Sequence, residues 1–167
     1  PYLYNGYIAV EDKRFKTHGG VDLLATMRAG VALVKNGGDI KQGGSTITQQ
    51  VIKNNLLTQE QSYSRKLTEV LLAPSLEKKF NKAEIMEFYC NSNYYGNRCY
   101  GVGAASEYYF GKSAADLEPY EAAILIGLSN NPSAYDPVNK PEAALKKRNE
   151  VLKKMYDEQV ITQKQYD

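Results

Sequence analysis

The chain has 167 residues, enough for one domain with a real hydrophobic core. Hydrophobic residues make up 43% and charged residues 24%, ordinary for a globular domain, and a formal net charge of +2 gives no argument for a nucleic-acid partner. Tyrosine is plentiful (14) and tryptophan absent, so any aromatic contact to sugar or a lipid interface falls to Tyr or Phe. No run approaches the ~20 apolar residues that cross a bilayer, and no signal peptide is visible. The abrupt ends at Pro1 and Asp167 read as those of a single excised domain spanning 1–167.

Helical signals dominate. The apolar stretch Tyr7 to Val10, strand-like or helical, leads into Glu11. Residues 21–36 read as a helix stopped by Gly37 and Gly38. Gly43 and Gly44 precede Ser45, a good N-cap, for a helix running to about Leu57. Ser62 or Ser64 starts the next, with Leu67, Val70, Leu71 and Leu72 turned inward and Pro74 expected to kink or end it. Asn81 and Glu84 have capping-box spacing, with Ile85, Phe88 and Tyr89 following at helical intervals. Further helices are expected over 102–110 and 119–128. A last one begins near Asn139, with Pro141 in its first turn and Leu145, Leu152 and Met155 facing the core. Long alternating β-branched runs are missing, so any strands are short. The expected fold is a mainly α domain without repeats or linkers.

Three segments carry chemistry. In the first, Glu11 to Gly20, the apolar stretch before Glu11 could half-bury its carboxylate and raise its pKa into the general-base range. Taken alone, Glu11 and Asp12 read as a solvated acidic pair, and the single histidine, His18, as a structural side chain. In the second, Ser45, Thr46, Gln49 and Gln50 open a helix after two glycines, where backbone N–H groups and the helix dipole favour an anion. Lys53 and Asn54 follow on the same helix. The glycine spacing is not that of a nucleotide P-loop. In the third, Arg65 and Glu69 share a helical face and form either a surface ion pair or, with Lys66 and Lys53, a cationic site for a diphosphate. Cys90 and Cys99 lack tetrahedral partners for a metal. They read either as a disulfide in an oxidising compartment or as two unpaired thiols.

Together these segments resemble the glycosyltransferase domain of class A penicillin-binding proteins and monofunctional peptidoglycan glycosyltransferases. The Glu-Asp-x-x-Phe-x-x-His-x-Gly motif matches Glu11, Asp12, Phe15, His18 and Gly20. Gly-x-Ser-Thr-Ile-Thr-Gln-Gln matches 43–50, and Arg-Lys-x-x-Glu matches Arg65, Lys66 and Glu69. Further resemblance runs through Lys82 to Asn91 with Tyr94 to Gly96, and through Tyr100 to Ala105 with Tyr109 to Lys112. Five ordered motifs cover nearly the whole chain.

The resemblance implies a lysozyme-like helical head and a smaller, mobile, membrane-facing lobe. It implies polymerisation of lipid II outside the cytoplasmic membrane, with the growing glycan chain as donor. Glu11 would deprotonate the acceptor 4-hydroxyl, inverting an α-diphosphate to a β-1,4 glycoside. Glu69 would be a second catalytic carboxylate, orienting cations, assisting sugar binding or holding a metal. Asp12, Phe15, His18, Ser45, Thr46, Gln49, Gln50, Lys53, Asn54, Arg65 and Lys66 would line the substrate site. A divalent Mg or Mn bridging phosphate oxygens is the one cofactor expected, with no organic group. Leu23, Leu24, Met27 and 31–34 would touch the membrane. A membrane anchor and a transpeptidase domain are expected elsewhere in the parent chain. The family usually has Leu where Cys90 stands, which makes a bridge from Cys90 to Cys99 worth testing, and a basic residue where Gln61 stands. A lysozyme-like hydrolase, an acyl-transfer enzyme built on Ser75 and Lys78, and an inactive membrane- or partner-binding module are the competing readings.

Overall fold

The structure is a computed structural model that describes residues 2–35, 44–56 and 63–167. It forms two compact units, Pro1–Lys13 with Cys90–Asp167 and Arg14–Tyr89. Among the described residues regular structure is almost entirely helical, and β pairing is limited to an isolated antiparallel bridge between Tyr94 and Tyr100.

In the first unit, α7 (Pro119–Asn130) is the buried axis. Ala122, Ala123, Leu125, Ile126 and Leu128 are fully enclosed. A helix apolar on every side must be covered on every side, and α1 (Tyr2–Glu11) and α8 (Pro141–Asp157) pack on it. Glycines set the spacing. A Cβ on Gly6 would stand 2.6 Å from Ile126 Cδ1, and one on Gly127 2.7 Å from Lys147 Cγ. The Tyr7 hydroxyl is buried between the hydroxyl of Tyr95 at 2.6 Å and Ser129 Oγ at 2.9 Å. Loss of water around it pushes its pKa well above the ordinary phenol value. α6 (Val102–Phe110) spans the expected residues and ends at Gly111, in the left-handed conformation with φ 65°. Short α9 (Gln163–Tyr166) closes the chain with a capping box from Thr162 and Gln165.

The second unit holds α2 (Leu23–Lys35), α3 (Ile47–Leu56), α4 (Tyr63–Lys79) and most of α5 (Lys82–Ser92). Asp22 opens α2. Its carboxylate accepts from Arg14 Nε at 2.6 Å and from the Ala25 N–H at 3.2 Å. Burial alone would raise its pKa, but these donors outweigh it and hold the acid below the usual carboxylate value. The capping box expected at α5 is present, Asn81 N–H to Glu84 Oε2 at 2.9 Å and Glu84 N–H to Asn81 Oδ1 at 2.8 Å.

Several local expectations change. Thr46, not Ser45, caps α3: its Oγ1 accepts from the Gln49 N–H at 3.1 Å, and Gln49 Oε1 accepts the Thr46 N–H at 2.8 Å. Pro74 does not end α4, which continues to Lys79. Leu67 and Leu71, expected inside, are 60% and 66% exposed, and Leu145 is half exposed. Periodicity marked apolar faces there without showing whether a neighbour covers them. The expected stop at Gly37 and Gly38, the start at Ser62, the end at Leu57 and the departure at Gln61 lie outside the described residues.

Candidate active site

Glu11 is the last residue of α1 and is half buried, as expected from the apolar helix before it. Asp12 follows, 6% exposed, with its N–H donating to the Ile8 carbonyl at 3.2 Å and so prolonging the helical turn. Both belong to the first unit. The other candidate residues of the three motifs belong to the second.

There the start of α3 is fastened at three places. The Thr46 hydroxyl donates to the Gly20 carbonyl at 2.6 Å while capping its own helix. Gly20 has φ +112° and lies against α4, where a Cβ would come within 2.6 Å of the Ala73 carbonyl carbon. Only glycine fits both the backbone angle and the gap. Thr48, fully buried, donates to Glu77 Oε1 near the end of α4 at 2.7 Å. Lys66, near the beginning of α4, donates to Ser45 Oγ. Ser45 gives up the capping role and presents its hydroxyl to a cation instead.

The same lysine donates to Glu69 Oε2 at 3.1 Å, and Arg65 Nε stands 3.6 Å from Glu69 Oε1. Glu69 is 2% exposed, whereas the Lys66 side chain is 47% exposed. A buried carboxylate therefore holds two cations, one of which still reaches solvent. On α3, Gln50, Lys53 and Asn54 share a helical face by their spacing and are less buried than Ile47, Val51 and Ile52. Gln50 Oε1 accepts from the Tyr89 hydroxyl at 3.1 Å.

Not every motif residue reaches this cluster. Thr46 and Gln49 are each 1% exposed and spend their polar atoms on the cap. Phe15 is fully buried edge-on to His18, with ring centroids 5.9 Å apart and Lys82 Nζ 4.7 Å above its ring. His18 Nδ1 accepts the Gly20 N–H at 3.0 Å, and its carbonyl accepts from Lys82 Nζ at 2.7 Å. Lys82 also pairs with Glu77 Oε1 at 2.7 Å. No motif or spacing in the sequence marks Glu77. Its hydrogen-bond partners Thr48 and Lys82 lie 29 and 5 residues away, on two other helices, and spacing does not reveal the hub.

Cys90 and Cys99 are both free thiols in the structure, packed in one apolar cluster with Tyr95, Val102, Leu125 and Leu128. Burial pushes the Cys90 thiol up to about 12 and raises that of Cys99. Among the described residues no group of three or more His, Cys, Asp or Glu could hold a metal ion. No described helix is long and apolar enough to cross a membrane.

Comparison with known proteins decides the family. The transglycosylase family model matches residues 1–156. This chain belongs to the transglycosylase family. Penicillin-binding protein 1A of Aquifex aeolicus is 46% identical over 99% of this chain and 23% of its own length. The Escherichia coli protein of the same name is 45% identical over 100% of this chain and 20% of its own. A solved structure of penicillin-binding protein 1A from Haemophilus influenzae matches 72% of this chain and 15% of that one, at 33% identity and TM-score 0.50. The mainly α, lysozyme-like fold class expected from sequence agrees with that likeness. This transglycosylase chain spans about a fifth of the length of the curated relatives it matches, so these relatives carry further segments. The expectation of a peptidoglycan glycosyltransferase is met at the level of the family.

Proposed function

We propose that this chain is a catalytic domain that polymerises lipid II into β-1,4-linked glycan, with inversion at the donor's anomeric carbon. The observation that carries the reading is the cluster formed by Arg65, Lys66, Ser45 and the buried Glu69. A glycosyl diphosphate departs as an anion already, so its departure needs positive charge and hydrogen-bond donors more than a strong acid. Lys66 can exchange Ser45 and Glu69 for phosphate oxygens, while Glu69 keeps both cations oriented in the absence of substrate. Lys53 adds charge from α3. A glycan hydrolase needs the reverse, a proton donor for a poor leaving group.

Glu11 is the base in this reading. It closes α1 and is half buried, with the apolar helix behind it. It takes the proton of the acceptor 4-hydroxyl as that oxygen attacks the donor's anomeric carbon. The C–O bond to the diphosphate breaks, and its electrons leave with the phosphate. Among the described residues the cluster is poorly suited to a resident metal, because its carboxylate, Glu69, is already paired with two cations. A divalent ion, if one takes part, would be carried by the diphosphate oxygens and would offset their charge.

On α2, Leu23, Leu24, Met27, Val31 and Val34 are all more than half exposed and recur at helical spacing. With Leu67 and Leu71 of α4 they supply apolar surface suited to the outer face of the cytoplasmic membrane, where a polyprenyl substrate resides. An anchor and a transpeptidase domain in the parent chain complete the proposal.

Incubating lipid II with the intact protein tests it. Glycan polymer is expected, with Glu11→Gln slower by ~10²–10⁴-fold, the range for loss of general-base catalysis. Unchanged polymerisation by Glu11→Gln would refute the mechanism, and shortening of added glycan would point to a hydrolase.

A further inference from the structure

Glu77 lies two turns beyond the third motif on α4, and its side chain is 11% exposed. One carboxylate oxygen, Oε1, receives both the Thr48 hydroxyl at 2.7 Å and the Lys82 ammonium at 2.7 Å. Lys82 passes the connection on, to the His18 carbonyl at 2.7 Å and the face of the Phe15 ring at 4.7 Å. His18 Nδ1 is 3.8 Å from the same Glu77 oxygen, but it is already accepting from the Gly20 N–H at 3.0 Å, so it does not donate to Glu77. One acid thus ties together the 15–20 segment, the first turn of α3, the end of α4 and the first residue of α5.

The consequence falls on Ser45. The start of α3 meets α4 at Lys66 through Ser45, at Ala73 through Gly20 and Thr46, and at Glu77 through Thr48. Gly20 meets α4 only by close packing against the Ala73 backbone, without a hydrogen bond to that helix in this contact. The bond from Thr48 to Glu77 is directional, so it fixes where the first turn of α3 stands along α4. That register aims Ser45 Oγ at the Lys66 ammonium.

We propose that Glu77 is a positioning residue for glycosyl transfer. Acting through Thr48, it sets the register of the α3 start on α4 and so the placement of Ser45 beside Lys66 and Glu69. The inference rests on the reading of that cluster as the diphosphate site.

Steady-state polymerisation by the intact protein, with kcat and KM separated, tests it in Glu77→Gln, Glu77→Ala, Thr48→Val and the double variant Thr48→Val with Glu77→Gln. Glutamine keeps a carbonyl acceptor for Thr48 and Lys82; alanine keeps nothing. Glu77→Ala should lose ~100-fold in kcat, as small misplacements of a reacting group do, and Glu77→Gln should recover ~10-fold of that. KM should stay within about twofold where binding itself is intact. Because Glu77 acts through Thr48, the double variant should be no slower than the slower of its two components. Melting temperatures recorded alongside give the folded fraction at the assay temperature, and rates are compared per folded molecule. Full kcat per folded Glu77→Ala molecule overturns the proposal, and so does a double variant whose loss is the product of the two single losses. A wild-type protein that makes no polymer overturns the underlying reading of the site. A wild type that polymerises, matched by Glu77→Ala, overturns only the role given to Glu77.

Discussion

Replacing Thr46 with valine removes one hydroxyl and almost no volume, yet that hydroxyl makes two buried bonds. As acceptor it satisfies the Gln49 N–H at 3.1 Å, an otherwise open donor of the first turn of α3. As donor it meets the Gly20 carbonyl at 2.6 Å, in a residue 1% exposed. Loss of an N-cap costs ~1 kcal/mol. Taking the donor from a buried carbonyl costs about 1–3 kcal/mol more, partly offset by the added methyl group. The sum is about 2–3 kcal/mol, or about 5–10 °C in melting temperature for a chain of this size. Thr46→Ser keeps the hydroxyl and should lose under ~1 kcal/mol, from one missing methyl. Urea unfolding of the three proteins, followed by circular dichroism, measures both differences. If Thr46→Val matches wild type within about 0.5 kcal/mol, or if Thr46→Ser is as weak as Thr46→Val, the hydroxyl is not what holds α3 to the Gly20 segment.

Two further expectations follow from titration and thiol chemistry. Asp22 accepts from Arg14 and the Ala25 N–H, and Asp136 accepts from the backbone N–H groups of Val138 and Asn139 and from the side-chain amides of Asn139 and Asn97; these hydrogen bonds outweigh burial and hold both folded-state values below the ordinary carboxylate value. Their stabilisation is therefore complete above about pH 4, the unfolded value, and disappears as pH falls through the lower folded values. The melting temperature should drop below about pH 4, and Asp136→Asn should start lower at neutral pH and fall less steeply in acid. An equally steep acid limb in that variant contradicts the assignment. Cys90, pushed up to about 12 by burial, should react with a disulfide reagent at pH 8 about a thousandfold more slowly in the native protein than in denaturant. Equal rates would place the thiol in water rather than in the apolar cluster.

Elements governed by neighbours in the chain were legible. The capping box of Asn81 with Glu84 involves residues three apart, and the limits of α6 follow from Gly101 before it and Gly111 after it. Pairings across the fold were not. Ser45 and Thr46 are equally good caps by chemistry, and the Gly20 carbonyl, 26 residues away from Thr46, decides between them. Leu67 and Leu71 have the spacing of a buried stripe, but no local rule tells whether a partner covers it. Pro74 removes a donor and would ordinarily disrupt a helix, yet α4 continues through it, closely packed by Gly20.

The sequence by itself determined the helical class, several helix starts, both limits of α6 and, through its ordered motifs, the family. Those depend on local backbone preference and on residue types in fixed order, which the chain carries whether or not it is folded. Tertiary structure alone decided which motif side chains are spent on internal contacts and which reach solvent. Thr46, Gln49, Phe15 and His18 are engaged in internal contacts, while Lys66 meets both Ser45 and Glu69 and still reaches solvent. A hydrogen bond is directional and short, so its partner is chosen by where the helices pack, and spacing along the chain carries no record of that choice.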